Sequence, residues 1–165
     1  MARIHSAESV AMFRIHPLSA AQFQPLFVLS EDELAARDIR RVVADGPNSF
    51  PCRVSLRDAE PGERLLLLPY EHHAVATPYR ASGPIFVREN AGDATFAAGD
   101  VPDQLRRRLL SIRAYGDDGM MRIADVVEGT QIESLVTRFL DREDVGYLHV
   151  HFARYGCYAC RITRG

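Results

Sequence analysis

Apolar residues recur every three or four positions in the segment 132–140, which is the spacing of an amphipathic helix. Two capping boxes, over residues 30–33 and 130–133, predict where two helices begin, because a serine or threonine followed three residues later by glutamate satisfies the first backbone N–H groups. A third helix is predicted over residues 103–110, with Pro102 at its start. The apolar stripe of the clearest helix consists of Ile132, Leu135, Val136, Phe139 and Leu140.

Strands are predicted where apolar residues alternate, or form short runs bounded by turn residues. Residues 39–44 either continue the first helix or form a strand, and the adjacent Val42 and Val43 favour the strand. About seven or eight strands and three helices, without strict β–α–β alternation, predict an α+β fold. We expect a single domain with a mainly antiparallel sheet and a C-terminal β-hairpin. The predicted strands cover residues 12–16, 50–56, 65–68, 83–89, 111–115, 120–127, 146–153 and 157–163.

The last two strands predict the register of the closing hairpin. A three-residue loop places Gly156 in the left-handed conformation and sets Ala153 opposite Cys157. One face of the hairpin is then apolar and belongs to the core, and the other carries polar groups. The predicted core face holds Leu148, Val150, Phe152, Tyr158, Cys160 and Ile162. The predicted opposite face holds Tyr147, His149, His151, Ala153, Cys157, Ala159 and Arg161.

Cys157 and Cys160 form a Cys-x-x-Cys string, but on an extended strand their Cα atoms lie roughly 10 Å apart and their sulfurs point to opposite faces. We therefore predict neither a disulfide nor a shared metal site for this pair, and interpret Cys160 as a buried structural thiol.

The polar face of the predicted hairpin carries His149, His151 and Cys157 together. Such a set is typical of a metal site using His149 and His151, or of a cysteine nucleophile with a histidine base. The alternative is a half-buried face whose polar groups are satisfied by loops. The histidines at 72–73 fall in a predicted loop, where they are expected to be exposed unless they complete this site.

Three arginines sit among apolar or small residues at the edges of predicted strands: Arg53, Arg80 and Arg113. A partly buried arginine needs a carboxylate partner or binds an anionic ligand through its planar guanidinium, so both interpretations stay open. Ser82 lies close to Arg80 in the sequence and could donate its hydroxyl at such a site, although no Gly-x-Ser-x-Gly motif surrounds it. Candidate partners for structural ion pairs are Asp58, Glu63 and Glu128.

Composition narrows the range of functions. The chain has 165 residues, enough for one domain, and its formal net charge of −2 argues against a general nucleic-acid binder. All 20 of its lysine and arginine positions are arginine. Without lysine, we expect neither a pyridoxal phosphate cofactor nor a P-loop nucleotide site. Residues 1–11 show no periodicity and are predicted to be a disordered N-terminal extension, or else an over-long start, which leaves residues 12–165 as the domain.

Cysteine usage and hydropathy predict the compartment. Three cysteines are an odd number and too few for a disulfide framework. No apolar run approaches the roughly 20 residues of a membrane span, and the N-terminus lacks the pattern of a signal peptide. We therefore expect a cytoplasmic protein with reduced thiols and no membrane partner.

Several strings of residues resemble one bacterial protein family. They are Phe50-Pro-Cys-Arg-Val-Ser-Leu56, Asp58-Ala-Glu-Pro-Gly-Glu63, Pro78-Tyr-Arg-Ala-Ser-Gly-Pro-Ile-Phe86, His149-Val-His151 and Gly156-Cys-Tyr158. Together they resemble the family catalogued as domain of unknown function 1203, over essentially everything after residue 12. The resemblance implies a small stand-alone bacterial protein, and it implies no activity, cofactor or fold. The positions it marks as distinctive are Arg53, Arg80, Ser82, His151 and Cys157.

The leading functional hypothesis is a small-molecule site in which the three arginines hold an anionic group. In this hypothesis His151 and Cys157 supply proton transfer or nucleophilic chemistry, so the protein is either a binding protein or a small enzyme. One alternative is a metal-binding protein that uses His149 and His151. The other is a non-enzymatic interaction module. A homodimer is compatible with each of these, since two-fold dimers are the commonest assemblies.

Overall fold

The computed structural model describes residues 12–165, so the predicted extension over residues 1–11 lies outside the described residues. This part of the chain contains eight strands and three α-helices. The strands are β1 (Phe13–His16), β2 (Arg40–Val43), β3 (Arg64–His73), β4 (Ala81–Arg88), β5 (Leu109–Tyr115), β6 (Met121–Glu128), β7 (Tyr147–Phe152) and β8 (Tyr158–Arg164). The helices are α1 (Glu31–Ala35), α2 (Asp103–Arg106) and α3 (Ile132–Leu140), and 3-10 helices cover Ala20–Gln22, Gln24–Leu26 and Gly129–Gln131.

Two antiparallel sheets form the framework. The larger has the strand order β1-β8-β7-β5-β6, and the smaller has the order β2-β3-β4. Because β7 and β8 are neighbours, the predicted C-terminal hairpin is confirmed, as are the α+β class and the predominance of antiparallel pairing. No helix within residues 12–165 combines the length and the apolar character needed to cross a membrane.

The first predicted capping box is confirmed and the second is wrong. At α1 the Glu33 backbone N–H donates to Ser30 Oγ at 3.2 Å, and the Ser30 N–H donates to the Glu33 carboxylate at 2.8 Å. Before α3 the chain instead forms a 3-10 helix, and Gln131 precedes the first helical residue. The Glu133 carboxylate accepts a hydrogen bond from Arg106 Nη1 at 2.9 Å. An ion pair with a distant arginine has therefore replaced the local bond to the backbone.

The helix predicted over residues 103–110 ends at Arg106, because the following residues join the larger sheet. In β5 the side chains of Leu110, Ile112 and Ala114 are fully buried, with the period of two that a strand requires. β5 also has strand neighbours on both sides, β6 and β7. Sheet pairing and burial have overridden the helix propensity of the local sequence.

The segment 50–56, predicted as a half-buried strand, does not extend either sheet. It makes isolated bridges, including one from Cys52 to Phe86 of β4, and then turns. It runs between the two sheets: the Arg53 N–H donates to Phe86 O at 3.1 Å, and Arg53 Nε donates to Tyr158 O of β8 at 2.7 Å. Because both sides of the segment are covered, consecutive side chains are buried rather than alternate ones.

The main hydrophobic core lies between α3 and one face of the larger sheet. The predicted stripe of α3 is buried, with Val136 and Phe139 fully enclosed. The strands contribute alternate residues, such as Leu148 and Val150 of β7. The opposite face of β7 is buried as well, because β3 of the smaller sheet packs against it.

The register of the closing hairpin is as predicted up to Val150, which pairs with Cys160. The pairing then shifts by one residue, so that His151 lies opposite Tyr158. The prediction that Tyr158 shares the core face is therefore wrong, and Ala159 takes a place in the core. The cause is a β-bulge in β8, where one extra residue lies between the paired residues Tyr158 and Cys160. This extra residue moves the side chain of Tyr158 to the opposite face of the sheet.

Candidate functional site

A cavity of about 720 Å³ opens where the segment 48–53 meets both sheets. Its walls also include residues of β3, β4 and the loop between β7 and β8. We call it the Arg53 cavity, because Arg53 is the buried charged residue in its lining. Its volume lies within the range of small-molecule sites. The apolar part of the lining consists of Phe50, Pro51, Leu67, Pro84, Phe86, Leu109 and Phe152.

Arg53 is 2% exposed. Its Nε donates to Tyr158 O at 2.7 Å, its Nη1 donates to Pro51 O, and its guanidinium lies 5.0 Å above the centre of the Phe152 ring. None of the ion pairs within residues 12–165 involves it. Burial lowers the pKa of Arg53 to about 10, so the side chain stays charged at neutral pH. A buried charge without a counter-charge is costly, which makes this cavity a favourable place for an anion.

The remaining charges of the lining are also mainly positive. The lining also contains Arg107, Arg108 and Arg154, together with one carboxylate, that of Glu128. Outside the lining, Asp58 bonds to Arg108 at 2.7 and 3.1 Å and lies 3.9 Å from Arg107. The lining therefore keeps an excess of positive charge, which favours anionic over cationic ligands.

Cys157 lines the same cavity, and its Sγ is 3.7 Å from the carbonyl oxygen of Tyr155. It is partly exposed, whereas Cys52 and Cys160 have no exposed surface. All three cysteines are free thiols, as predicted for the Cys-x-x-Cys string. Burial raises the pKa of Cys160 to about 12, which agrees with its interpretation as a structural thiol. Cys157 is therefore the one thiol of the chain that a solute can reach.

A second concentration of chemical groups lies between the two sheets, where four imidazoles meet. We call it the histidine cluster; its members are His72 and His73 of β3 and His149 and His151 of β7. The ring centres are 5.0 Å apart for His72 and His151, and 5.0 Å apart for His73 and His149. Tyr158 stacks on His72 with centres 5.2 Å apart, a contact that the β-bulge in β8 makes possible. The prediction that the histidines at 72–73 lie exposed in a loop is wrong, because β3 extends through them and His73 is buried.

Hydrogen bonds fix two of these rings and leave several nitrogens without a partner. His73 Nδ1 lies 2.8 Å from Tyr79 O, so in the neutral ring it donates there, and Nε2 accepts from the Tyr147 hydroxyl at 2.6 Å. His151 Nδ1 likewise donates to Gly156 O at 3.0 Å. Among the described residues, the buried imidazole nitrogens without a hydrogen-bond partner are His72 Nδ1, His149 Nδ1 and His151 Nε2.

Burial lowers the pKa of three of the imidazoles, to about 4 for His72, about 2 for His149 and about 3 for His151. Neighbouring positive charge adds to this effect, chiefly that of Arg113 on His72 and His151. These three rings are therefore neutral at neutral pH. Within residues 12–165, no group of three or more histidine, cysteine, aspartate or glutamate side chains is arranged to hold a metal ion.

The predicted site residues thus fall in three different places. Arg53 and Cys157 share the Arg53 cavity, which neither His149 nor His151 lines. Arg113 lies in β5 opposite His149, so it belongs beside the histidine cluster.

Neither Arg80 nor Ser82 lines the Arg53 cavity, and neither belongs to the histidine cluster. Arg80 is exposed and donates to the Glu71 carboxylate through Nε and Nη2, both at 3.0 Å. Ser82 is exposed on β4, opposite Glu71 in the strand ladder. The ion-pair alternative therefore describes Arg80, although its partner is a carboxylate that the sequence did not single out.

Sequence analysis misses the other three arginines of the Arg53 cavity. Arg107 and Arg108 belong to a run of three arginines that directly precedes β5, and this run is the one local signal for a positively charged site. Nothing in the local sequence marks Arg154, which is exposed at the tip of the closing hairpin. Its place in the lining depends on where that hairpin meets the segment 48–53.

Comparison with known proteins agrees with the resemblance noted from the sequence. Residues 49–164 match the family described as a protein of unknown function, domain of unknown function 1203. Comparison with curated proteins and with solved structures finds no match. The matched region contains the whole histidine cluster and every residue of the Arg53 cavity except Asn48. Because the match covers more than half of the chain, this protein belongs to the family of domain of unknown function 1203.

Proposed function

We propose that the protein binds a small organic anion in the Arg53 cavity. The observation that carries this proposal is the buried guanidinium of Arg53, whose partners among residues 12–165 are two carbonyl oxygens and an aromatic ring. An anion in the cavity would supply the missing counter-charge in a place where water screens it little.

The lining also supports a class of ligand. Arginines around a cavity select carboxylate or phosphate groups, because the planar guanidinium matches their oxygens. The Phe50 and Phe86 rings, with centres 5.2 Å apart, give the cavity an apolar wall that favours a ligand with an aromatic or aliphatic part. A compact amphipathic anion, such as an aromatic carboxylate, combines both features.

Binding is better supported than catalysis by a Cys157–His151 pair. A histidine base must come within hydrogen-bonding reach of its nucleophile. Cys157 Sγ contacts Tyr155 O, while His151 is held by Gly156 O through Nδ1 and keeps Nε2 buried. We therefore place the function in the Arg53 cavity rather than in the histidine cluster.

Calorimetric titration of the full chain with benzoate, and with benzamide as its neutral isostere, tests the proposal. We expect benzoate to bind at least about tenfold more tightly, because a charge-assisted bond to arginine has no equivalent for the amide. R154Q should weaken binding about threefold, the contribution of one exposed charge. R80Q is the matched control and should leave the affinity unchanged, because Arg80 lies outside the cavity.

A second readout does not depend on any substitution. Saturating benzoate should slow the alkylation of Cys157 by iodoacetamide, since the ligand and the thiol share one cavity. R53M should abolish benzoate binding; if this variant does not fold, the benzoate–benzamide ratio and the protection of Cys157 decide the question. Equal affinities for the two compounds, or alkylation unaffected by benzoate, would overturn the proposal.

A further inference from the structure

We propose that Cys157 is a thiol–disulfide exchange site that prefers small disulfides carrying negative charge. This inference rests on the proposed anion-binding role of the Arg53 cavity and extends it to a covalent reaction. Anion binding alone would not require Cys157 to react, whereas this proposal gives its thiol a role in disulfide exchange.

Accessibility selects Cys157 among the three thiols. Cys52 and Cys160 have no exposed surface, whereas Cys157 is partly exposed and lines the cavity wall. A disulfide that enters the cavity therefore meets one thiol. The buried cysteines serve as internal controls in the same molecule.

The second observation beside the accessible thiol is a buried donor group in the same cavity. Arg53 is almost fully buried, and while Nε and Nη1 donate to carbonyl oxygens, its Nη2 donates no hydrogen bond within residues 12–165. Cys157 lines the same cavity as Arg53. The thiol and an unused donor group thus share one cavity.

The reaction needs no reagent beyond the disulfide. The Cys157 thiol loses its proton to solvent, and the thiolate attacks one sulfur of R–S–S–R. The S–S bond of the reagent breaks as a new S–S bond to Cys157 forms, and the second half leaves as RS⁻ and takes up a proton. The Cys157 thiol is oxidised to a mixed disulfide, and one half of the reagent is reduced to a thiol.

Charge gives the exchange its selectivity. The arginines of the lining, among them exposed Arg107 and Arg154, attract carboxylates on the entering disulfide and raise its local concentration. A cationic disulfide is repelled by the same groups. Because part of this attraction acts through exposed side chains, salt should weaken it.

Intact-mass spectrometry of the full chain can follow the mixed disulfide over time with two probes. Oxidised glutathione carries an excess of carboxylates, and cystamine carries only ammonium groups. The ratio of the two rates for the protein is divided by the same ratio for a short cysteine peptide, which removes the intrinsic reactivity of the probes. We expect a normalised preference for oxidised glutathione of about tenfold at low salt, falling toward one at high salt.

Variants assign the effect to the cavity. C157S should form no adduct, and R154Q should reduce the normalised preference. R80Q removes the same charge outside the cavity and should leave the preference unchanged. An adduct on Cys52 or Cys160, or a normalised ratio of one at low salt, would overturn the inference.

The two proposals fail in distinguishable ways. Benzoate binding that protects Cys157, combined with a normalised exchange ratio of one, would overturn the exchange role and leave the binding role standing. Absence of benzoate binding would overturn both, because the exchange role depends on anion recognition by the same arginines.

Discussion

Between pH 6.5 and pH 5 the protein is expected to lose about 3 kcal/mol of its free energy of unfolding. The loss comes mainly from His149 and His151, which are 3% and 1% exposed in the folded chain. Burial lowers their pKa to about 2 and about 3. In the unfolded chain both rings return to a pKa near 6.5. The pKa of His72 is lowered as well, but His72 is more exposed, so solvent screens its charge and its contribution is smaller.

The direction of the effect follows from which state binds the protons. Between pH 6.5 and pH 5 the unfolded chain takes up protons on both rings, while the folded chain keeps them neutral. The stabilisation by neutral, buried imidazoles is therefore complete above pH 6.5 and is lost as the pH falls toward the folded pKa values. Glu63 and Glu133 have a lowered pKa as well, because Arg88 and Arg106 bond to them, but carboxylates contribute mainly below this window.

Among the described residues, no carboxylate bonds to a ring of the histidine cluster and could offset a new positive charge there. The cationic side chains around it are Arg113 of β5, Arg161 of β8 and Arg53, each of which disfavours protonation of a neighbouring ring. The other polar neighbours are tyrosines, such as Tyr147 and Tyr158. Protonation would thus place charge between the two sheets without a carboxylate to pair with it.

Urea unfolding at pH 6.5, 6.0, 5.5 and 5.0 measures the loss. H149F removes one titrating ring from an aromatic environment, so its loss over the same window should fall to about half of the wild-type value. H16Q is the comparison outside the cluster, where His16 is bonded to Thr163 at 2.7 Å. Burial and Arg161 lower the pKa of His16 as well, but His16 is less buried than His149, so H16Q should keep more of the wild-type loss than H149F does. Equal losses for wild type and H149F would show that the cluster does not govern acid stability.

G129A is expected to destabilise the fold by at least about 3 kcal/mol. A Cβ at Gly129 would lie 1.8 Å from the Leu105 carbonyl oxygen, which is backbone and cannot swing aside. The surroundings are also fixed, because Leu105 is fully buried and the Gly129 N–H donates to Arg108 O at 2.8 Å. The backbone around residue 129 and the backbone of residues 105–108 would therefore have to move apart.

This contact matters for the site as well as for stability. Gly129 holds the end of β6 against the residues that precede β5, and so positions Glu128, Arg107 and Arg108 around the Arg53 cavity. In any G129A protein that folds, benzoate affinity should therefore fall together with stability.

G92A is the matched control for G129A, since a Cβ at Gly92 meets nothing within 4 Å and its φ is not positive. It should change the free energy of unfolding by no more than about 0.5 kcal/mol. Urea unfolding of both variants at neutral pH provides the comparison. A G129A protein as stable as G92A would contradict the close packing of these two segments.

The local features of the fold could be predicted from the sequence because they depend on residues that are close along the chain. The apolar stripe of α3 can be recognised from the helical spacing of five apolar residues. The capping box of α1 needs only Ser30 and, three positions later, Glu33. The first part of the hairpin register follows from alternation along two adjacent strands, as Val150 opposite Cys160 shows.

The candidate site can be predicted only in part, because it depends on contacts between residues that are far apart along the chain. Arg53 and Cys157 were both chosen from the sequence, and they share a cavity. Arg80 has the same surroundings in sequence terms, yet it is exposed and paired with Glu71. The two arginines differ in their tertiary surroundings. The segment of Arg53 lies between the two sheets and bonds to a strand of each.

The α+β class, the main helix, the hairpin and the candidate residues can therefore be predicted from the local sequence. Which of those residues are buried, and which meet, depends on tertiary packing. This packing places the histidines at 72–73 against β7 and, through a one-residue bulge, brings Tyr158 to their side. It also buries Arg53 where no carboxylate among residues 12–165 bonds to it. These outcomes depend on contacts between segments far apart in the chain, and local periodicity carries no information about which distant surfaces will cover a given face.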